Sequence, residues 1–454
     1  MAYVPHTPED VRAMLDAIGI ESVDDLFATL PPDARLDGGL DLPPGQSEEE
    51  VRRFLSDLAA ENITQADMVS FLGGGVYDSI VPAACDAISS RSEFLTAYTP
   101  YQAEVSQGTL QVIYEWQTYV SRLTGLPVSN ASMYDGSTAL GEALVLAVSA
   151  RRKQKVLLPE TLNPRWRRVA RTMLQGFGTE IVDVPSTDEG TMDVEALAEL
   201  ADGETAAVVV QNPNYLGLIE PVEAISTAGK ANGALLIAAV NPASLSVLRS
   251  PGEYGADVAV GEAQPFGVYP GAGGPLLGFF AVTDKLTRRI PGRVVGRTVD
   301  RNGAGAYVLT LQTREQHIRR EKATSNICSN QGVNALRATV YLAMLGRTGL
   351  RELGEANLQR LAALRNEVAE IDGVELAFAG PAFNETVIRL PRPAREFRGY
   401  ARQFGLLAGI PLDGVPGCTE NDLLVAVTEK RTAEDIELYA EALHGFVNGE
   451  EVDL

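Results

Sequence analysis

The chain has 454 residues, 45% of them hydrophobic, which predicts a globular protein of two domains with a terminal arm. Its net charge of −22 would repel a phosphate backbone and argues against nucleic-acid binding. No apolar run reaches the ~18 residues of a membrane span, and the N-terminus lacks the pattern of a secretory signal, so we expect a cytoplasmic protein without a membrane partner.

Cysteine and histidine are too sparse for several kinds of site. The three cysteines, Cys85, Cys328 and Cys418, are far apart and form no CxxC pair, which argues against disulfides and zinc. Only three histidines are present, and there is no GxSxG motif. The sequence therefore predicts no metal site and gives no sign of a serine hydrolase.

Residues 1–65 predict a helical arm. Helix starts are indicated at Thr7 and Ser47, because each hydroxyl cap is followed by acidic residues in the first turn. A Pro/Gly-rich connector lies between them at 31–45. The arm either packs on a partner or is a plain helical extension, and both interpretations remain open.

Residues 66–330 predict a large, doubly wound α/β domain. Short β-branched runs alternate with helical or loop segments, and continuous apolar runs suit parallel strands buried on both faces. The segment 291–331 differs in being rich in polar and basic residues. The predicted strands are 156–158, 181–184, 206–210, 234–240, 257–261 and 278–282.

Residues 331–454 predict a smaller C-terminal α/β domain. A helix is indicated over 333–371, and the last helix begins at Thr432, where Asp435 completes a capping box. The candidate strands of this domain are 374–380, 386–390 and 423–427.

Gly136, Ser137 and Thr138 form a candidate phosphate loop. They precede an apolar helical run, so backbone N–H groups and two hydroxyls would lie at a helix N-terminus. A phosphate would fit there, but an ordinary Ser/Thr helix cap explains the same pattern.

Four longer motifs carry further information: TAYTPYQAEVSQGTLQ (96–111), YDGSTALGEA (134–143), QNPNYLGLIE (211–220) and TREQHIRREKATSNIC (313–328). They resemble the glycine dehydrogenase (decarboxylating) family, which comprises the P-proteins of the glycine cleavage system. They match the N-terminal half of its long members, a half that exists separately as subunit 1 in two-subunit forms. The similarity extends from the N-terminus to at least residue 331.

This resemblance implies a fold-type-I pyridoxal-phosphate architecture and an oxidoreductase activity. Glycine forms an aldimine with pyridoxal phosphate, loses carbon dioxide, and passes its aminomethyl group to the lipoyl disulfide of the H-protein. In the family the lysine and the cofactor belong to subunit 2. The resemblance therefore implies that subunit 2 is a partner in an α2β2 heterotetramer and that the lipoylated H-protein is another.

Two groups that a fold-type-I enzyme requires are missing from this chain. The Schiff-base lysine should lie within 257–280, yet no lysine occurs anywhere in 231–284. The carboxylate that keeps the pyridine nitrogen protonated should follow the strand at 234–240, where Asn241 stands and no acid occurs in 231–251. The chain is predicted to hold no covalently bound cofactor, which its partner would carry.

Tyr98, Tyr101, Gln102 and Gln107 are the candidate catalytic contributions to a partner's active site. Pro100 interrupts the tract and polar residues dominate it, so it lacks the apolar pattern of a core helix. Hydroxyl and amide groups suit the lining of a polar cleft, although an interdomain loop with solvated tyrosines explains them too. The resemblance favours the cleft.

Two further segments each allow several interpretations. Residues 313–322 carry five basic side chains against two glutamates, which suits a cofactor phosphate, a substrate carboxylate, an acidic partner or the chain's own carboxylates. Residues 71–78 contain three successive glycines, which suit a close backbone approach or a hinge.

The favoured interpretation is a subunit that scaffolds and completes a partner's active site. One alternative is a self-contained pyridoxal-phosphate enzyme with an unexpected lysine, such as Lys285 or Lys322. Another is a structural paralogue without a part in catalysis. A Schiff-base absorbance in the isolated chain would favour the first alternative, and full decarboxylase activity of the partner alone would favour the second.

Overall fold

The computed structural model describes residues 5–36, 40–64, 66–323 and 325–450. The chain divides between residues 63 and 64 into two compact units. Within the described ranges, no helix has the length and apolar character needed to cross a membrane. The division into an arm and two domains at residues 65 and 330 stays a prediction.

The first unit contains two α-helices, α1 (Pro8–Ile18) and α2 (Glu48–Ala60). Thr7 and Ser47 cap them in the predicted capping boxes, because each accepts the N–H of an acid three residues later. Neither helix has a buried residue. The predicted connector at 31–45 lies partly outside the described residues.

The second unit is built from short strands and helices. Its strands are β1 (Val69–Ser70), β2 (Val128–Ser129), β3 (Lys155–Pro159), β4 (Glu180–Val184), β5 (Thr205–Asn212), β6 (Leu235–Val240), β7 (Val258–Glu262), β8 (Gly278–Val282), β9 (Val294–Val299), β10 (Gly305–Thr310), β11 (Glu375–Leu376), β12 (Glu385–Arg389), β13 (Leu406–Leu407), β14 (Ile410–Pro411) and β15 (Asp422–Ala426). Its helices are α3 (Ala83–Ser89), α4 (Ser92–Leu95), α5 (Gln107–Thr124), α6 (Gly136–Arg151), α7 (Pro164–Leu174), α8 (Val194–Leu200), α9 (Val222–Lys230), α10 (Gln316–Arg319), α11 (Gly332–Ala369), α12 (Ala394–Ala401) and α13 (Ala433–Asn448).

The large sheet has seven strands in the order β2-β8-β7-β6-β5-β3-β4. Strands β3 to β7 are parallel, and β8 and β2 complete one edge in antiparallel pairing. All six predicted strands of the large domain are present as β3 to β8. The prediction of a doubly wound, mostly parallel sheet is therefore confirmed.

Both faces of this sheet are covered, as the unbroken apolar runs require. In β6, Leu236 and Ala238 belong to a core cluster that includes residues of α5 and α9. Their neighbours Leu235 and Ile237 belong to a second cluster with residues of α6 and α7. Successive side chains of a strand point to opposite faces, so β6 is buried on both.

A smaller antiparallel sheet of four strands, in the order β11-β12-β15-β14, follows near the C-terminus. It shares a core cluster with residues of α11, α12 and α13. The last helix begins after Thr432 with the predicted capping box. The predicted helix at 333–371 corresponds to α11, which is interrupted at Gly346, where φ is 57°.

The polar segment 291–331 contains an antiparallel hairpin of β9 and β10 that the sequence did not predict. Most of its strand residues are only half-buried or exposed. Only Val294 and Val295 are fully buried, and Tyr307 and Leu309 are half-buried against α5. The two-residue apolar alternation is therefore too weak for periodicity to reveal the strands.

Candidate active-site surface

The carboxyl edge of a parallel α/β sheet is where ligands usually bind. Here β6 is followed by Asn241, whose amide donates to Asn384 Oδ1 at 3.3 Å. The cavity at this edge is lined by Trp166, Asn241 and Glu262, among others, and has a volume of only about 20 Å³. That volume suits a water molecule and not a pyridine ring with its phosphate.

Glu262, the last residue of β7, is buried against the start of α6. Its Oε2 accepts the Gly136 N–H at 3.0 Å, and its Oε1 accepts the Gln264 and Leu277 N–H groups at 3.0 and 2.8 Å. Burial raises the pKa of Glu262 to about 7, although the three N–H donors act in the opposite direction. A carboxylate of the chain thus lies at the N-terminus of α6, where an anion would bind.

A second carboxylate, that of Asp135, bonds the candidate phosphate loop at residues 136–138. Asp135 caps α6, with its Oδ1 accepting the Thr138 N–H at 2.9 Å and the Ser137 hydroxyl. Gly136 lies against Trp166, because a Cβ on Gly136 would overlap the indole ring. The N–H groups of Gly136 and Thr138 are therefore already bonded to carboxylates.

The residues at this edge do not fit pyridoxal phosphate. The segment 231–284 offers no lysine for a Schiff base, and Asn241 supplies no charge for a pyridine nitrogen. The loop that would receive the phosphate is occupied by Asp135 and Glu262. Within the described ranges, no cluster of three or more His, Cys, Asp or Glu side chains could hold a metal ion.

The glycine tract at 71–78 makes a close backbone approach to β12. A Cβ on Gly73 would overlap the Glu385 carboxylate, and the Gly74 N–H donates to Glu385 Oε1 at 2.7 Å. The Tyr77 hydroxyl donates to the other oxygen at 2.6 Å. The close-approach interpretation is confirmed. Burial raises the pKa of Glu385 to about 7.

The tract 96–111 lies on a different surface, and its tyrosines are strongly exposed. Tyr98 and Tyr101 are 85% and 59% accessible, and Gln102 is exposed beside them. The Tyr98 hydroxyl lies 3.4 Å from Ser329 Oγ. A cavity of about 400 Å³ is lined by residues of 94–113 and of 329–336. The structure thus places the motif at 96–111 next to the end of the motif at 313–328.

Gln107 differs from Tyr98, Tyr101 and Gln102 because its amide is bonded to the backbone. Its Nε2 donates to the carbonyls of Ala103 and Tyr307 at 2.7 and 2.9 Å, and its Oε1 accepts the Tyr307 N–H at 2.9 Å. The amide thereby ties α5 to β10. We therefore assign Gln107 to the support of the surface and not to its chemistry.

A buried arginine lies behind Tyr101. Arg293 is 2% accessible, and its Nη2 donates to Tyr101 Oη at 3.2 Å and to the Cys328 carbonyl at 2.7 Å. Its guanidinium carbon lies 5.0 Å from the centroid of the Tyr101 ring, within cation–π range. Its Nη1 lies 3.8 Å from Glu315 Oε2.

The basic segment 313–322 uses its arginines in more than one way. Arg314 donates to the carbonyls of Ile290 and Gly292, so it binds backbone rather than a carboxylate. Glu315 is buried and faces Arg293, whereas residues 316–322 are mostly exposed. The segment thus combines structural bonds with exposed positive charge.

Comparison with known proteins identifies the family. The family model described as the glycine cleavage system P-protein matches residues 1–443. The chain belongs to this P-protein family. It is 50% identical over 446 residues to the probable glycine dehydrogenase (decarboxylating) subunit 1 of Carboxydothermus hydrogenoformans, covering 98% of this chain and 100% of the relative. It is 49% identical to the corresponding protein of Chlorobium luteolum, with 98% and 99% covered.

Solved structures agree with the P-protein assignment. The crystal structure of a glycine decarboxylase (P-protein) of the glycine cleavage system, in inhibitor-bound form, matches with a TM-score of 0.89 and 41% identity, covering 98% of this chain and 99% of that one. A NifS-like protein matches with a TM-score of 0.62 at 12% identity, covering 84% and 100%, which indicates the fold alone. The predicted fold-type-I architecture is confirmed.

Three important residues of this P-protein chain escaped the sequence analysis. Glu262, Arg293 and Glu385 are charged residues in the interior, and the local sequence of Arg293 and Glu385 does not distinguish them from surface charges. Glu262 ends an apolar strand run, which is the one signal that could have indicated its burial. The partners of Arg293 and Glu385 are remote in sequence and became visible only in the fold.

Proposed function

We propose that this chain is subunit 1 of a cytoplasmic glycine dehydrogenase (decarboxylating) of the glycine cleavage system, and that it completes the active site of a lysine-bearing subunit 2. The single observation that carries the proposal is that N–H groups of the candidate phosphate loop, at the start of α6, already bond the chain's own carboxylates. A chain that keeps the whole P-protein fold has its own carboxylates, Asp135 and Glu262, where a cofactor phosphate would bind.

Pyridoxal phosphate supplies the electron sink for glycine decarboxylation when it is bound. Subunit 2 holds it in this proposal, because the present chain lacks both the lysine and a fitting cavity. Gly136, Ser137 and Thr138 are then a vestigial phosphate loop whose donors stabilise the chain's own carboxylates. In this proposal the chain orients the substrate and does not supply the reacting lysine.

The exposed part of the tract, Tyr98, Tyr101 and Gln102, is the surface that we assign to the shared site. Its side chains offer neutral donors and acceptors, which orient a substrate without adding charge beside a cofactor phosphate. Pro100 restricts the backbone between the two tyrosines. Exposure supports the assignment, because a side chain must be accessible in the single chain to reach a partner.

Exposed apolar side chains support a stable association with subunit 2. Leu95 and Val105 flank the tyrosines and are 59% and 78% accessible. In the first unit, Phe54 and Leu55 of α2 are each 56% accessible. Large apolar patches commonly mark interfaces. An α2β2 heterotetramer that receives the lipoylated H-protein is the assembly we propose.

Reconstitution tests this function. The chain and a lysine-bearing subunit 2 are expressed separately, mixed with pyridoxal phosphate and H-protein, and assayed for exchange between glycine and bicarbonate. We expect exchange only when both subunits are present. Full activity of subunit 2 alone would make this chain a structural paralogue, and activity of this chain alone would require an unexpected lysine.

A further inference from the structure

We infer that Arg293 is a positioning residue that holds the Tyr101 hydroxyl in one orientation toward the partner subunit. The inference rests on the proposed function, since it concerns the same surface. It adds a residue outside the exposed tract and assigns a definite hydrogen-bonding role to Tyr101.

Tyr101 depends on another side chain to fix its orientation. It lies in a segment without regular secondary structure and exposes 59% of its surface. A free tyrosine in such a segment exchanges between rotamers and loses entropy when it is fixed. Arg293 contacts both the ring, at 5.0 Å from its centroid, and the hydroxyl, at 3.2 Å. One buried guanidinium therefore restrains both ends of the side chain.

The hydrogen bond between Arg293 and Tyr101 has a fixed direction. A guanidinium has donors and no acceptor, so the Tyr101 oxygen must accept from Arg293. The hydroxyl proton then points away from Arg293. Tyr101 is thereby presented as a donor to whatever lies on the far side, whereas an untethered hydroxyl would donate or accept as its neighbour required.

The burial of Arg293 has an energetic cost. Its Nε has no hydrogen-bond partner among the described residues, and the same holds for Oε1 of the facing Glu315. Unpaired buried polar atoms are unfavourable, and each one calls for an explanation. A well-packed apolar residue would avoid this cost. The hydrogen bond to Tyr101 gives this buried cation a function in the proposed site.

Arg431 provides a matched control inside the same chain. It is buried, its Nε lacks a partner among the described residues, and it lies 5.9 Å from the Phe71 ring. It pairs with Asp78 at 2.8 Å. Arg431 thus shares burial, a nearby aromatic ring and an unpartnered Nε with Arg293, but it has a closer carboxylate partner and no contact with an exposed tyrosine.

The experiment compares Arg293→Lys, Arg431→Lys, Tyr101→Phe and the double variant Arg293→Lys/Tyr101→Phe in the reconstituted complex. We expect Arg293→Lys to lower kcat about 10-fold or more with little change in the KM for glycine, because the donor acts in the transition state. The double variant should be no slower than Tyr101→Phe, because both changes remove one interaction. Arg431→Lys should affect stability and leave kcat within about two-fold.

Hydrogen exchange of residues 96–106 gives a second readout that does not depend on activity. Arg293→Lys should accelerate exchange in this segment and Arg431→Lys should not; Arg293→Gln replaces the lysine variant if that one fails to assemble. Unchanged exchange with Arg293→Lys, or losses that add in the double variant, would overturn the inference. A wild-type rate for Tyr101→Phe with faster exchange in Arg293→Lys would instead overturn the catalytic part of the proposed function.

Discussion

Glu262 accepts the backbone N–H of Gly136 at 3.0 Å, so a carboxylate of β7 lies at the N-terminus of α6. Helix N-termini attract anions because their N–H groups lack partners within the helix. Here the anion is part of the chain. A cofactor phosphate would have to displace this buried carboxyl group, which would leave Glu262 without the Gly136 N–H.

The isolated chain should form no Schiff base with pyridoxal phosphate. The chain has six lysines, and none lies in 231–284, where the family architecture would require one. The protein is incubated with the cofactor, reduced with borohydride and mapped by mass spectrometry, with subunit 2 as the positive control. Stoichiometric labelling of one site, such as Lys285 or Lys322, would refute this prediction.

Glu385→Gln should stabilise the chain at alkaline pH. The Glu385 pKa is raised from 4.5 to about 7, chiefly by burial, so the fold favours the neutral carboxyl. The contribution of Glu385 to the free energy of unfolding is full below pH 4.5 and is lost as the pH rises through 7. Glutamine can keep both bonds if the Tyr77 hydroxyl rotates to accept.

We therefore expect the variant to match wild type at pH 5 and to gain about 1–3 kcal/mol at pH 8. Denaturant unfolding at the two pH values measures the difference. The exposed Glu189→Gln is the control and should show no pH-dependent gain. Equal stabilities of Glu385→Gln and wild type at both pH values would contradict the burial argument.

Tyr98→Phe, Tyr101→Phe and Gln102→Ala should each be tested for a loss of catalysis. A hydrogen bond aimed at a transition state contributes roughly 10²–10³ in rate, whereas a solvated surface side chain contributes almost nothing. We expect a loss of this size for at least one variant in glycine–bicarbonate exchange, with assembly checked by chromatography. Tyr269→Phe, another half-exposed tyrosine, is the control. Near-wild-type rates for all three variants would show that the tract is structural.

Gln107→Ala should reduce stability and not the rate of the assembled enzyme. The change removes the side-chain partner of the Tyr307 N–H and of the Tyr307 carbonyl, which costs about 1–3 kcal/mol per buried group. The Ala103 carbonyl keeps the N–H of Ser106. Gln111→Ala on the same helix is the control, since Gln111 is exposed and its amide donates to the side chain of Glu115. A large drop in kcat at unchanged stability would instead support the prediction from the sequence that Gln107 contributes to catalysis.

The chain and subunit 2 should associate at micromolar concentration. The exposed apolar residues around the tract predict an interface of the obligate kind, which commonly exceeds ~2,000 Å² in total. Size-exclusion chromatography of the mixed subunits measures this. Replacing Val105 with aspartate should weaken the complex, while Phe177→Asp, outside the tract, should not. Independent elution of the two wild-type proteins would count against the assembly.

The sequence by itself determined the main elements and the missing chemistry. Strands β3 to β8 are apolar runs, and the caps at Thr7, Ser47 and Thr432 depend on neighbours three residues away, so local sequence suffices to predict them. The absence of a lysine from 231–284 is equally a property of the sequence. The hairpin of β9 and β10 has few fully buried residues and was missed.

Only the tertiary structure decided what surrounds each candidate residue. Glu262 is hydrogen-bonded to Gly136, which is 126 residues away in the sequence, and Arg293 is hydrogen-bonded to Tyr101, which is 192 residues away. Gln107 and Tyr101 belong to one polar tract in the sequence, yet one binds a hairpin strand and the other stays exposed. Hydrogen bonds and burial depend on which remote segments pack together, and the packing of the whole chain fixes that choice where local pattern cannot.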